Sequence, residues 1–233
     1  MNWQEIEVSN DTTCFLYKGM DPFNKTFLEV LKFHAPGLAP VKDNSGSYHI
    51  TTEGKPHYKE RYFRTFGYYF MRAAIQKPDG WFHINELGKR VYTENYAWVG
   101  NYQDKVCTVR DQNNQYFHID LEGNPIYKEK YRYTGDFKDE IASVRLDNGL
   151  FTHINLQGNR LHNHQYLDLG VYHKGFATAR GKDGWFHINY EGLPIYNNRF
   201  AAIEPFYNGF ALATSLDGEK CIVNESGERV LIL

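Results

Sequence analysis

The densest run of side chains able to do chemistry is His162-Asn163-His164-Gln165-Tyr166. Two imidazoles two residues apart on a strand project to one face. That spacing suits a bidentate grip on zinc or another transition metal, with Asp168 or His173 as a candidate third ligand. A polar patch on an outer strand and a polar ligand site are the competing readings. A second cluster follows it: His173, Lys174, Arg180, Glu204 and Tyr207. Arg110, Arg145 and Arg180 recur at one place in successive blocks, with Lys42 at the equivalent place further back. If those positions converge, they form a cationic ring for a carboxylate, a phosphate or an acidic peptide. The alternative is a set of solvated strand ends paired with aspartates such as Asp111 or Asp147.

These residues sit inside a repeat. Its landmark is an aromatic-rich His-Ile pair followed by a turn glycine: His49-Ile50 with Gly54, His83-Ile84 with Gly88, His118-Ile119 with Gly123, His153-Ile154 with Gly158 and His187-Ile188 with Gly192. A worn sixth copy reads Ile222-Val223-Asn224 with Gly227, and the glycines are 34, 35, 35, 34 and 35 residues apart. Other columns keep the same register. Small residues Ala39, Ala73, Cys107, Ala142, Ala177 and Ala211 precede the His position, and Tyr58, Tyr92, Tyr127, His162 and Tyr196 follow the glycine. A residue recurring once per copy is placed by the repeat, so the five histidines read first as imidazoles bonded to backbone. A channel lining and a chance metal site are the lesser readings.

A period of this length means a propeller, a solenoid or an array. Each copy reads as four short strands with Asp-Gly or Gly turns between them, as in Phe176–Arg180, Trp185–Asn189 and Pro194–Tyr196. The expected fold is therefore all-β: a closed β-propeller of about six short four-stranded blades. An open β-hairpin array and a five-bladed ring are the alternatives. Residues 26–233 hold the six copies, and residues 1–25 stand outside the period as a cap or edge strand.

The 233 residues carry a net charge of −2, with 42% hydrophobic and 16% aromatic side chains. That balance supports a substantial core and argues against a nucleic-acid clamp. No apolar run is long enough to span a membrane, and the first residues lack the pattern of a secretory signal. Three cysteines without metal-like spacing point to a reducing cytoplasm.

The segment Asp79-Gly80-Trp81-Phe82-His83-Ile84-Asn85-Glu86-Leu87-Gly88-Lys89 resembles the WG repeat of bacterial proteins. Trp81 and Trp185 match the Trp of that family, Ile84 and Ile188 its Ile, and Gly88 and Gly192 its turn glycine. Phe82 and Phe186 stand where the family has its second signature residue, Gly, and His83 and His187 where it often has Tyr. The likeness covers residues 36–233 and implies an interaction or sensing module. Residues 131–207 also look like a module that accompanies methyltransferase-type domains in some bacterial proteins, which implies such an enzyme as a partner. No methyltransferase motif stands in this chain.

No nucleophile elbow, P-loop, Gly-rich dinucleotide turn or catalytic triad is present, and no cofactor is expected. The leading expectation is a non-catalytic module that recognises a protein or peptide through propeller faces. The alternative is an enzyme or small-ligand binder centred on the fourth and fifth copies, with His173 and Glu204 as an acid–base pair. A carbohydrate-binding propeller is a third reading.

Overall fold

Short strands alternate with tight turns along the whole chain, and a computed structural model describes residues 1–233. Two compact halves divide it: Met1–Asn114 with His118–Pro125, and Gln115–Phe117 with Ile126–Leu233. The first half opens with the hairpin β1 (Ile6–Val8) and β2 (Phe15–Tyr17). A sheet of β3 (Glu29–Val30), β4 (Ala39–Asp43) and β5 (Gly46–Ile50) follows. The next is formed by β6 (Arg64–Tyr69), β7 (Arg72–Lys77) and β8 (Gly80–Asn85). Then come β9 (Trp98–Val99), β10 (Cys107–Arg110) and β11 (Tyr116–Ile119), with the division between halves running through β11. The second half holds β12 (Tyr133–Thr134), β13 (Ile141–Arg145) and β14 (Phe151–Asn155). It continues with β15 (Asp168–Leu169), β16 (Ala177–Gly181) and β17 (Gly184–Ile188). The last sheet is β18 (Ala202–Ile203), β19 (Phe210–Thr214), β20 (Lys220–Asn224) and β21 (Arg229–Ile232). All pairings in these sheets that the registers define are antiparallel.

The repeated columns have packing reasons. Ala39, Ala73, Ala142 and Ala177 lie opposite Ile50, Ile84, Ile154 and Ile188, and all eight side chains are buried. Small against large fills the layer without voids. The turn glycines serve the ring of the previous copy: a Cβ on Gly88 would lie 2.4 Å from Cδ1 of Tyr58, and one on Gly123 2.3 Å from Cδ1 of Tyr92. Both have φ values in the left-handed region, so the turn and the ring each demand glycine.

A fourth strand forms only in the last sheet. In the other five copies the outer segment touches the third strand through isolated bridges at its two ends, such as Ile50 with Pro56 and Ser47 with Tyr62. Between them a guanidinium gathers the carbonyls of an irregular loop. Arg61 Nη1 donates to the carbonyls of Tyr58, Lys59 and Glu60, and its Cζ lies 3.7 Å from the centroid of the Tyr48 ring. Arg199 does the same for Tyr196, Asn197 and Asn198, over Phe186. Where Arg90 replaces the proline at the start of the loop, it reaches Tyr92, Thr93 and Glu94 instead, over Phe82. Proline at the loop start lacks an N–H, and a charge that binds loop carbonyls competes with a ladder.

Residues 1–25, expected to lie outside the period, are a partial copy of it. Phe15 of β2 is fully buried and stands 34 residues before His49. Its ring meets Phe23 edge-on at 5.7 Å and Phe33 at 5.0 Å, 56° tilted. His49 meets Tyr58 at 5.8 Å and Tyr68 at 4.7 Å, 55° tilted. Phe23 also lies where a Cβ on Gly54 would fall, the role Tyr58 plays for Gly88. Strands β1 and β2 thus stand for the second and third strands of a copy in which residues 1–233 form no first strand.

Candidate functional site

Four of the five repeated histidines are clamped alike. His49, His83, His153 and His187 are buried, and Nε2 of each lies 2.8–3.0 Å from the carbonyl of Phe66, Gly100, Gly170 or Glu204. A carbonyl only accepts, so Nε2 carries the hydrogen and Nδ1 accepts. The donor to Nδ1 is the hydroxyl of Tyr58, Tyr92 or Tyr196, at 2.6–2.7 Å. Burial pulls all four imidazoles down to about 4 despite the carbonyl, which favours the charged form. Rings of Tyr68, Tyr102, Tyr172 and Phe206 cover them. With both nitrogens bonded, these four histidines have no lone pair for a metal.

The fourth copy departs from this at His162. It occupies the tyrosine column, and its Nε2 lies 3.2 Å from Nδ1 of His153. By the same reasoning that Nε2 donates, which leaves Nδ1 of His162 an acceptor, buried and without a partner. His162 is 8% exposed, while His164 is exposed and belongs to no strand. The expected two-histidine grip on one strand face is therefore corrected: one ring is turned inward as a substitute clamp, and the segment between is a loop. Asp168 accepts from the N–H of Leu169, and no three His, Cys, Asp or Glu side chains gather to hold a metal.

The second cluster divides between two ends. In five copies the first two strands are joined by two residues with positive φ: Phe70-Met71, Asp104-Lys105, Asp139-Glu140, Lys174-Gly175 and Asn208-Gly209. This is the turn that matches strand twist, normally reserved for Asn and Gly. His173, Lys174 and Tyr207 belong to these hairpin ends, with the His173 and Tyr207 rings 5.2 Å apart. Arg180 lies four residues beyond Phe176, which bridges to His173, so about 13 Å of strand separates the two ends. Arg145 likewise ends its strand, donating to the carbonyl of Gly149, and Arg132 rather than Arg145 pairs with Asp147. Arg110 holds the same register position opposite Trp98. Glu204 is exposed just past the end of β18; what it offers the fold is its carbonyl, to His187. His173 and Arg180 therefore do not share a pocket.

The sequence reading missed two residues that the structure adds to the hairpin end. Phe210 is 48% exposed beside Tyr207, itself 66% exposed, and Tyr190 is 46% exposed while stacked 4.7 Å from Tyr172. The signal for Phe210 was present: an Asn-Gly turn flanked on both sides by aromatics. Tyr190 lies 3.9 Å from where a Cβ on Gly175 would fall and Tyr207 meets His173 of the same hairpin, so these rings line the hairpin ends of the fifth and sixth copies as a ridge, with Glu225 beside Gly209.

No family model and no curated protein matches the chain. Among solved structures it is similar to a eukaryotic initiation factor, at 9% identity and a TM-score of 0.59, covering 98% of this chain and 72% of that one. It is also similar to BamB from Moraxella catarrhalis, at 11% identity and a TM-score of 0.50, covering 100% and 86%. The computationally designed Ika8 protein gives 11% identity and a TM-score of 0.50, covering 98% and 83%. The fold is a repeat β-propeller. No helix is long and apolar enough to cross a membrane.

Proposed function

We propose that this propeller is a non-catalytic interaction module that recognises a protein or peptide through the hairpin ends of its fifth and sixth repeats. The ridge of Tyr190, Tyr207 and Phe210 carries the reading: large rings held by packed neighbours on rigid turns make interface anchors at small entropic cost. The competing small-ligand or catalytic reading needs His173, Arg180 and Glu204 to converge, and about 13 Å of strand separates Arg180 from the His173 end. Cys107 and Cys221 are buried thiols outside any disulfide and Cys14 is half-buried, which fits work in a reducing cytoplasm.

A photo-reactive residue at position 207 should trap a discrete partner in cells, and the same residue at Lys182, beyond the far end of β16, should not. Tyr207→Ala and Tyr190→Ala should each weaken that complex about tenfold with an unchanged melting temperature. Equal trapping at both ends, or unaltered affinity in both variants, contradicts the assignment.

A further inference from the structure

Six sheets of this protein contain a first strand, and the N-terminal hairpin does not. In the full copies the first strand donates one N–H to the middle of the second strand: Leu31 to Pro40, Gly100 to Thr108, Gly135 to Ser143, Gly170 to Thr178 and Glu204 to Leu212, at 2.8–3.0 Å. The residue equivalent to Pro40 and Thr178 is Val8, because Val8 pairs with Phe15 as Pro40 pairs with His49 and Thr178 with His187. Ser9 donates to the carbonyl of Cys14, so Ser9 and Cys14 form a hydrogen-bonded pair. Antiparallel pairs alternate, which turns the N–H and C=O of Val8 away from β2. They face a cleft of about 400 Å³ lined by Trp3, Ile6, Glu7, Val8, Lys32 and Phe33. Phe33 is the ring that covers Phe15, as Tyr68 covers His49.

We propose that this edge is a strand-acceptor site, filled by an extended segment of a partner protein that supplies the first strand that residues 1–233 do not place there. The chain itself defines the chemistry of that segment. Its own first strands read Trp98-Val99-Gly100-Asn101-Tyr102, Tyr133-Thr134-Gly135-Asp136-Phe137 and Asp168-Leu169-Gly170-Val171-Tyr172: an apolar residue, a glycine whose N–H makes the central bond, and an aromatic two residues on. Edge strands with unpaired backbone groups accept such segments antiparallel, with pockets for alternate side chains setting specificity. This site is separate from the aromatic ridge and stands or falls without it.

The test uses the full chain and a labelled acetyl-Asp-Leu-Gly-Val-Tyr-His-amide peptide, the sequence of residues 168–173. Anisotropy should show saturable binding, and hydrogen exchange should slow at the Val8 amide. The same peptide with N-methylglycine at its glycine should bind about tenfold more weakly, since it lacks the central donor. Val8→Pro, which removes the edge N–H, should also lose the peptide, and the N-methylated peptide decides the matter if that variant fails to fold. No binding, or equal binding of both peptides, overturns the proposal. A dimer that forms through β1 and excludes the peptide gives the edge to a second copy and overturns it as well.

Discussion

His162 shows how one side chain decides between structure and chemistry. A lone pair of histidines in sequence suggests a ligand set, yet the ring enters the fold as a poor substitute for tyrosine. The bond it makes to His153 is 3.2 Å, against 2.6–2.7 Å for the tyrosine clamps, and it leaves a buried acceptor unpaired. His162→Tyr should therefore stabilise the protein by about 1 kcal/mol, read as a higher urea midpoint; a lower midpoint contradicts the clamp. Gly88→Ala tests the opposite column. Its Cβ would strike Tyr58 from a backbone already in the left-handed region, so unfolding should become easier by about 2 kcal/mol or more. Neither His162's inward turn nor the contact between Gly88 and Tyr58 was legible in the sequence, because both lie between residues of different copies or depend on ring length.

At the level of elements, the period was plain wherever its polar markers survived and vanished where they did not. His-Ile-x-x-x-Gly announces five copies and a worn sixth keeps the glycine, but the partial copy has Phe15 for His and Phe23 for Tyr, and its β2 leads to a different turn. Aromatic-for-polar exchange preserves the packing and erases the motif. Phe23→Ala should cost about 2 kcal/mol through lost packing, measured by thermal or urea unfolding; a change below about 0.5 kcal/mol would place Phe23 on an ordinary surface. The four-strand expectation held for the last sheet and was replaced elsewhere by loops, three of which Arg61, Arg90 and Arg199 organise. Sequence gives the loop its arginine, but not its choice of loop carbonyls over a ladder. Arg110, Arg145 and Arg180 hold equivalent places opposite Trp98, Tyr133 and Asp168, as the repeat predicts, and Arg180 stands at the far end of β16 from His173.

Across the whole molecule, the recurring clamp makes stability a function of pH. The clamped histidines have folded values near 4, against about 6.5 for an exposed imidazole. The unfolded chain therefore takes up protons that the folded chain refuses. Their contribution is full above pH 6.5 and is lost as pH falls from 6.5 through 4. Circular dichroism should show cooperative unfolding inside that window, and a chain unchanged at pH 4 would mean the imidazoles are not held neutral by burial. What breaks the repetition is where partners are expected: the exposed ridge on the fifth and sixth copies, and the open first-strand edge of the N-terminal one. Residue-resolved hydrogen exchange at neutral pH tests that picture in one experiment. The account predicts slow amides in the third strand of every copy, slow exchange at Ser9 and fast exchange at its neighbour Val8. Slow exchange at both would mean the edge is covered, and fast exchange at both would mean the N-terminal hairpin is not part of the repeat.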